Sequence, residues 1–343
     1  MMNIKTIIIT CIGGALSTQF IRLIKQSSRH SFRIIGTDCF ENPSARNLCD
    51  AFYTVPSGNS PDYLESIEQI CRNEHADLIF PCADEEALCL AKHKETLEAA
   101  GTVVACNDFE LLDIFSNKIS TYKKLQEIGI DLPLWHETRS QDDILEKIEL
   151  TISETGKAVV KEPCARGGRG TILIDNALTE TRLFPNSREI HTNFRLFREN
   201  YLHNYNTDTQ LVMECLQGPG YDLDILAWQG TSHALIPRKR VNHIVPNEGF
   251  ILTEDHALIE MGQRVVRELN ASWLFDIDFM TTRDGKPALL EINPRASGSL
   301  SVSLMAGASL FDDMISLLKN EPLENAQPDF GQHFYSYTAI ARK

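Results

Sequence analysis

Short apolar runs alternate with helix-period segments through the first third of the chain, and that alternation restricts the fold more than any other feature. Residues 6–10 form an apolar run broken by Gly13-Gly14, after which Leu16, Phe20, Leu23 and Ile24 recur at helical spacing. A second run at 33–36 closes on Thr37-Asp38, and a third candidate strand spans 51–55. Pro61 opens a helix with Leu64, Ile67, Ile70 and Cys71 on one face. Leu78-Ile79-Phe80, a helix over about 84–99 and a strand at 103–105 follow. Strands alternating with helices predict an α/β fold with a doubly wound, mostly parallel sheet. Open sheets of this kind bind ligands where a strand's C-terminal end meets a helix N-terminus, here the Gly13-Gly14 turn. The GxGxxG fingerprint is absent, so dinucleotide binding is not expected. The glycines are read as permitting a tight turn, and Asp38 as a solvated loop residue.

Phosphate chemistry is suggested further along. Residues 117–128 read as a helix on Ile119, Tyr122, Leu125 and Ile128, with Gly129 as the stop. Lys118 stands at its start, unfavourable against the helix dipole, so it is either held by an anion or simply solvated. Residues 157–163, ending in Val160-Lys161-Glu162-Pro163, read as a strand; Arg166-Gly167-Gly168-Arg169-Gly170 is a glycine-rich loop, and 171–174 a second strand. Glycines at 167, 168 and 170 would let backbone N–H groups approach an anion, with Arg166 and Arg169 adding charge; a plain flexible hairpin fits the loop alone equally. No GxxxxGK[ST] segment occurs. Residues 211–216 form a strand running into Gly218-Pro219-Gly220, and 221–228 form another. In that second strand Tyr221, Leu223 and Ile225 share one face and Asp222 and Asp224 the other. Arg238 and Arg240, two apart, would project together from an extended segment and could hold a carboxylate or phosphate, or form a solvated basic edge.

The strongest constellation is an acidic hairpin. Phe275-Asp276-Ile277-Asp278-Phe279 alternates apolar and acidic residues, Asp284-Gly285 supplies a preferred two-residue turn, and Glu291 and Asn293 share a face on the returning strand. With Asp284-Gly285 as the loop, Arg283 pairs with Lys286, and counting outward places Asp278 opposite Glu291 and Asp276 opposite Asn293. Like charges about 5 Å apart repel unless a cation lies between them. Two carboxylates and an amide oxygen are hard ligands suited to Mg²⁺. Arg295, two residues on, could reach a transferred phosphoryl group or a carboxylate. Ser297, Gly298 and Ser299 could cap the next helix or offer N–H groups to an anion.

Composition narrows the class. The chain has 343 residues, a length suited to two or three domains, with 33 Lys+Arg against 47 Asp+Glu and a net charge of −14. That balance argues against a general nucleic-acid binder. Nine scattered cysteines without a CxxC pair argue against a disulfide framework or a zinc site and for reduced thiols. No apolar stretch reaches 18 residues and no signal pattern opens the chain, so a cytoplasmic protein without membrane association is expected. No further domain is expected beyond about Leu323.

The order of these segments resembles the ATP-grasp superfamily, in its carbamoyl-phosphate-synthase-like and biotin-carboxylase-like branch. Asn117-Lys118 with Gly129-Ile130-Asp131-Leu132-Pro133 looks like the family's entry segment. Val160-Lys161-Glu162-Pro163 with Gly167-Gly168-Arg169-Gly170 looks like its nucleotide lysine and phosphate loop. Met213-Glu214-Cys215-Leu216 is similar to its adenine hinge, and Leu290-Glu291-Ile292-Asn293-Pro294-Arg295 to its magnesium motif.

The resemblance implies a preceding α/β domain at 1–112, then a two-lobed ATP-grasp region: a small lobe and lid at 113–210 and a large lobe with the metal site at 211–343. It implies ATP and two Mg²⁺ ions, with Mn²⁺ able to substitute. Lys118, Lys161, Gly167, Gly168 and Gly170 would contact phosphates, Glu214, Cys215 and Leu216 the adenine, and Asp278, Glu291 and Asn293 the metal. Lys161 and Arg295 would be catalytic, and Arg238, Arg240, Ser297 and Gly298 would meet substrate. Relatives often carry a ribose-binding Glu where this chain has Gly220, and Asp222 is the substitute considered. The polar stretch 175–210 would be a lid insertion. The implied activity is an ADP-forming ligase joining a small carboxylate to an amine through an acyl phosphate. A kinase-like synthesis of a free acyl or carbamoyl-type phosphate and a non-catalytic ATP-binding role are the alternatives. A homodimer is compatible with such a protein, though no sequence feature shows it.

Overall fold

The computed structural model describes residues 4–165, 169–184, 187–205, 209–242, 245 and 247–337. Strands β1 (Thr6–Ile9), β2 (Arg33–Asp38), β3 (Ala51–Thr54), β4 (Leu78–Phe80) and β5 (Val103–Val104) form a sheet of order β3-β2-β1-β4-β5, with every pairing parallel. Helices α1 (Ser17–Lys25), α2 (Tyr63–Glu74), α3 (Asp84–Lys92) and α4 (Lys94–Ala99) connect these strands. The single helix expected over 84–99 is two, divided at His93. Asp38 corrects a second expectation. It is buried, and its carboxylate accepts the Gly13 N–H at 2.7 Å and the Phe40 N–H at 2.9 Å, so it fastens the first turn rather than facing solvent.

Helices α5 (Phe109–Ser116) and α6 (Lys118–Glu127) lead to a second sheet. Asn117 caps α6, its side chain accepting the N–H groups of Ile119 and Ser120 at 3.0 and 3.1 Å. The second sheet contains β6 (Trp135–Thr138), β7 (Ala158–Lys161), β8 (Ile172–Ile174), β9 (Arg182–Leu183), β10 (Ile190–Thr192) and β11 (Gln210–Glu214), in the order β6-β11-β7-β8-β10-β9. Helices α7 (Gln141–Thr155) and α8 (Phe194–Asn200) complete it. Much of the polar stretch 175–210 is thus ordered: β9, β10 and α8 extend the sheet, with Phe197 fully buried among Ile144, Ile172 and Val212.

The third sheet is antiparallel and follows the order β16-β15-β12-β13-β14-β17. Its strands are β12 (Gly220–Trp228), β13 (Thr231–Arg240), β14 (Gly249–Leu252), β15 (Trp273–Thr281), β16 (Pro287–Asn293) and β17 (His333–Tyr335). Helices α9 (His256–Glu268), α10 (Leu300–Met305) and α11 (Leu310–Lys319) flank it. Leu223, Ile225, Ile277, Phe279, Leu289 and Ile292 face one way and join a core shared with α5, α9 and the first sheet. Phe311 of α11 packs edge-on against Phe20 and Phe80, ring centroids 5.8 and 5.3 Å away, which seats the segment after Arg295 on the first sheet.

In the β15–β16 hairpin two departures from the expected register cancel. Thr282 N–H donates to Lys286 O at 2.8 Å, so the loop is 283–285 with Gly285 at φ +82°, one residue longer than Asp284-Gly285 alone. Near the turn, Phe279 therefore pairs with Leu289 and Met280 with Ala288. An irregularity beside Asp278 then inserts Leu290, restoring Asp278 opposite Glu291 and Asp276 opposite Asn293. The expected pairing holds at the acids, although the expected turn does not.

Candidate functional site

Side chains opposite the apolar face of the third sheet form a buried lattice of charge. Cross-strand register stacks Asp222 beside Asp278 and Arg238, and Asp224 beside Asp276. Alternation within each strand is what places them together. Arg238 is completely buried: it donates to Asp224 at 2.9 Å, Ser299 Oγ at 2.7 Å and Ser297 Oγ at 3.2 Å, and its guanidinium lies 4.8 Å over the Phe250 ring. Arg240 bonds Asp222 through Nε at 2.7 Å and Asp278 through Nη2 at 2.9 Å. Asp224 also accepts from Ser303 Oγ at 2.5 Å.

Three acids concentrate the cost of this arrangement. Asp222, Asp276 and Asp278 each bring one oxygen within 4.8 Å of the others. Burial pushes the Asp276 carboxyl well above its ordinary range, and the nearby Asp278 charge pushes it further. Burial raises Asp278 to about 7, with Asp222 and Glu291 adding to the rise and Arg240 opposing it. Burial acts on Asp222 too, but Arg240 and Arg238 outweigh it and hold its carboxyl below the usual value. Asn293 Nδ2 donates to Asp276 at 3.2 Å, leaving its amide oxygen for another partner.

The lysines meet this floor from the second sheet. Lys118 N–H donates to Pro163 O at 3.0 Å, docking the start of α6 on the segment after β7. Its ammonium pairs with Glu291 at 2.8 Å and donates to Ala165 O. The anion that a Lys at a helix start calls for is thus Glu291 in this structure. Burial pushes the Glu291 carboxyl up, but the Lys118 charge overrides it and holds it at about 2. Lys161, at the end of β7, has its ammonium pKa lowered by burial, with Glu291 opposing and Lys118 reinforcing the shift. Tyr122 ties α6 to β16, its hydroxyl donating to Leu289 O at 3.1 Å beside the inserted residue.

The remaining expected residues fall as follows. Glu214 ends β11 and accepts the Leu134 N–H at 2.8 Å; Leu216 is buried beside Met213 and Ala288, and Cys215 lies between them in sequence, half-buried. Gly218 follows, where a Cβ would stand 1.9 Å from Thr281 Oγ1. Gly170 has φ +65° and lies against Glu162, whereas Gly167 and Gly168 lie outside the described residues. Arg295 reaches two regions at once: Nε pairs with Asp84 of α3 at 2.9 Å and Nη1 with Asp276 at 3.4 Å. Ser297 Oγ is 2.9 Å from Ser299 Oγ, and Gly298 is exposed. Sequence reasoning put Asp224 and Asp276 on the acidic face but left them out of the ligand set, and it passed over Asp84 and Ser303. Alternation along β12 and β15 marks the first two; the Asp84–Arg295 pair spans separate sheets and leaves no local signal.

Two family models divide the chain. Residues 206–340 match the one described as ATP-grasp in the biosynthetic pathway with Ter operon. Over those residues the chain is similar to ATP-grasp domains. Residues 7–105 match the PylC-like N-terminal domain, so the first parallel sheet also has a known counterpart. The arginine-specific large chain of carbamoyl phosphate synthase from Bacillus subtilis (strain 168) is 23% identical over 281 residues, covering 80% of this chain. This chain spans only about a quarter of that relative, 25% of its length. Among solved structures, the ADP complex of an N5-carboxyaminoimidazole ribonucleotide synthetase superposes with a TM-score of 0.70 at 17% identity, over 97% of this chain and 81% of that one. An L-amino acid ligase from Bacillus licheniformis gives 0.65 at 14% identity, over 92% and 73%. The biotin carboxylase domain of Hydrogenobacter thermophilus 2-oxoglutarate carboxylase, bound to MgADP and bicarbonate, gives 0.69 at 16% identity, over 96% and 74%. These likenesses establish the shared mixed α/β fold. No helix among the described residues is long and apolar enough to cross a membrane.

Proposed function

We propose that this protein is an ATP-dependent, ADP-forming ligase that activates a small carboxylic acid as an acyl phosphate and joins it to an amine. The observation that carries the reading is the meeting of Lys118 and Lys161 with the half-buried acids Asp278 and Glu291 between the second and third sheets. Polyanionic ATP needs the lysines, and the surplus of buried carboxylates needs a cation. Asp222, Asp276 and Asp278 offer closely spaced oxygens, a hard set that fits Mg²⁺ or Mn²⁺. Asp278, Glu291 and Asn293 would hold two ions, which when bound neutralise phosphate charge.

The residues divide the remaining work. Lys118, Lys161 and the glycines at 167, 168 and 170 bind the phosphates, the last of these closing over them to exclude water. Glu214, Cys215 and Leu216 receive the adenine, and Asp222 is the residue assigned to the ribose. A carboxylate oxygen of the acid attacks the γ-phosphorus in line as the bond to the β-phosphate oxygen breaks, releasing ADP. The amine then attacks the acyl carbon, the C–O bond to phosphate breaks, and the amine loses its proton. Arg295 stabilises charge on the transferred group, while Arg238 and Arg240, with Ser297 and Gly298, shape the substrate side. The working units are 1–112, 113–210 and 211–343, and free cysteines throughout the described chain suit a reducing cytoplasm.

ADP release with Mg-ATP against pooled acids, with and without amines, tests the reading. ADP that requires both an acid and an amine supports it; ADP with acid alone points to a kinase-like product. Glu291→Ala should abolish ADP formation with the fold intact, and turnover in that folded variant would refute the assignment.

A further inference from the structure

Arg295 is the residue assigned above to the transferred group, and its orientation is set from outside the third sheet. Its guanidinium makes three contacts through two nitrogens. Nε pairs with Asp84 at 2.9 Å, and Nη1 lies 3.4 Å from Asp276 Oδ1 and donates to Ala296 O at 3.0 Å. Among the described residues no hydrogen bond or ion pair uses Nη2. A guanidinium is planar, so holding Nε and Nη1 on separate elements fixes the plane and the direction of the third nitrogen. The Asp84 and Arg295 side chains are 17% and 16% exposed, so solvent screens their attraction less than it screens a surface pair.

Asp84 is itself anchored. It is the first residue of α3, which starts just beyond the C-terminal end of β4. The first turn carries Asp84, Glu85 and Glu86, a placement that the helix dipole favours. Glu86 is buried and accepts from Thr10 Oγ1 at 2.5 Å, and the same hydroxyl accepts the Cys82 N–H at 3.0 Å. These bonds tie the start of α3 to the end of β1. A Cβ on Gly58 would stand 2.7 Å from the Glu86 backbone nitrogen, so the backbone there also packs directly against the helix start.

Two sets of acids pull on Arg295. Asp276 and Asp278 belong to the closely spaced acids of the floor, and Asp84 lies on another element. Burial opposes the Arg295 charge, but Asp84, then Asp276 and Asp278, outweigh it and hold the guanidinium above its ordinary value. Asp84 makes the shorter ion pair, 2.9 Å against 3.4 Å for Asp276. Removing it leaves the floor acids as the remaining attraction, and the guanidinium then turns onto Asp276.

We propose that Asp84 is a positioning residue, which holds Arg295 off the acidic floor and leaves Nη2 to meet the phosphoryl group in transfer. This rests on the ligase reading for what Arg295 meets. It makes the start of α3, a helix of the first sheet, part of the machinery that the third sheet carries.

The test is calorimetric binding of Mg-ADP to the full chain, with and without fluoroaluminate, which stands in for the phosphoryl group in transfer. In the wild type fluoroaluminate should tighten Mg-ADP about a hundredfold or more. Asp84→Asn, nearly isosteric, should melt as a folded protein, keep its Mg-ADP affinity within about twofold and lose about tenfold or more of that tightening. Asp84→Ser is the second variant, with the same result expected. Arg295→Gln should lose at least as much, and the double variant no more than Arg295→Gln alone, since Asp84 acts through Arg295. Full tightening in a folded Asp84→Asn or Asp84→Ser, or losses that add in the double variant, would overturn the proposal. A wild type that binds Mg-ADP and gains nothing from fluoroaluminate would overturn it as well, with the nucleotide site left standing. A wild type that binds no Mg-ADP would overturn the ligase reading and the proposal with it.

Discussion

The two faces of the third sheet share one backbone and almost nothing else. On one, Leu223, Ile225, Ile277, Phe279, Leu289 and Ile292 pack with the first sheet and α9. On the other, Asp222, Asp224, Arg238, Arg240, Asp276, Asp278 and Glu291 crowd together in ion pairs and shared hydrogen bonds. The apolar face repays its burial directly. The charged face is costly to desolvate and keeps three carboxyls, Asp224, Asp276 and Asp278, pushed upward by burial and by neighbouring acids. One face holds the strands in place; the other stores charge that a bound cation or phosphate can use.

Breaking the charged face at its most buried member should cost most. Arg238→Met leaves Asp224 without its guanidinium partner and Asp222 with Arg240 alone, and should destabilise by about 3–5 kcal/mol in urea unfolding. On the other face Leu223→Ala leaves a cavity and should cost about 2–5 kcal/mol, with specific activity of the folded fraction retained. Together these two variants sharpen the contrast: both lose stability, and only the first alters the site.

Smaller effects separate the acids from one another. Asp278 has its folded value raised from 3.8 to about 7, so its burial costs stability progressively as pH climbs from the unfolded value through the folded one. Asp278→Asn should therefore raise the melting temperature of the ligand-free protein at pH 8 by about a few degrees, a gain that shrinks toward pH 5. Glu291 runs the other way. Its folded value is lowered from 4.5 to about 2, so it contributes stability above its unfolded value that is lost as pH falls through the folded one. Wild-type protein should lose stability between about pH 4.5 and 2 more steeply than Glu291→Gln, a difference visible in melting curves across that window.

Legibility in the sequence followed the same division. Period-two alternation told which residues of β12 and β15 share a face, because a strand leaves no other choice. The Asp278–Glu291 and Asp276–Asn293 pairings were readable as well, but through a turn one residue too short and an insertion at Leu290 that the hydrophobic pattern conceals. Lys118 at a helix start left an anionic partner and plain solvation both open, and Glu291 is the partner it finds. What stayed hidden required tertiary placement. Asp38 looked like a loop acid, yet the Gly13 turn closes onto it and buries it. Arg295 looked free to reach a ligand, yet Asp84, from another sheet's connecting helix, already holds one edge. Local patterns specify faces and caps; they do not specify which distant element arrives to satisfy a charge.

The most direct measurement is calorimetric binding of a non-hydrolysable ATP analogue, with and without Mg²⁺, to the wild-type chain and to Glu291→Gln. If the charged face holds Mg-ATP, the wild type binds the analogue more tightly with Mg²⁺, and Glu291→Gln, melting as a folded protein, loses about tenfold or more of that enhancement. An enhancement left intact in the folded variant, or no nucleotide binding by the wild type, would contradict it.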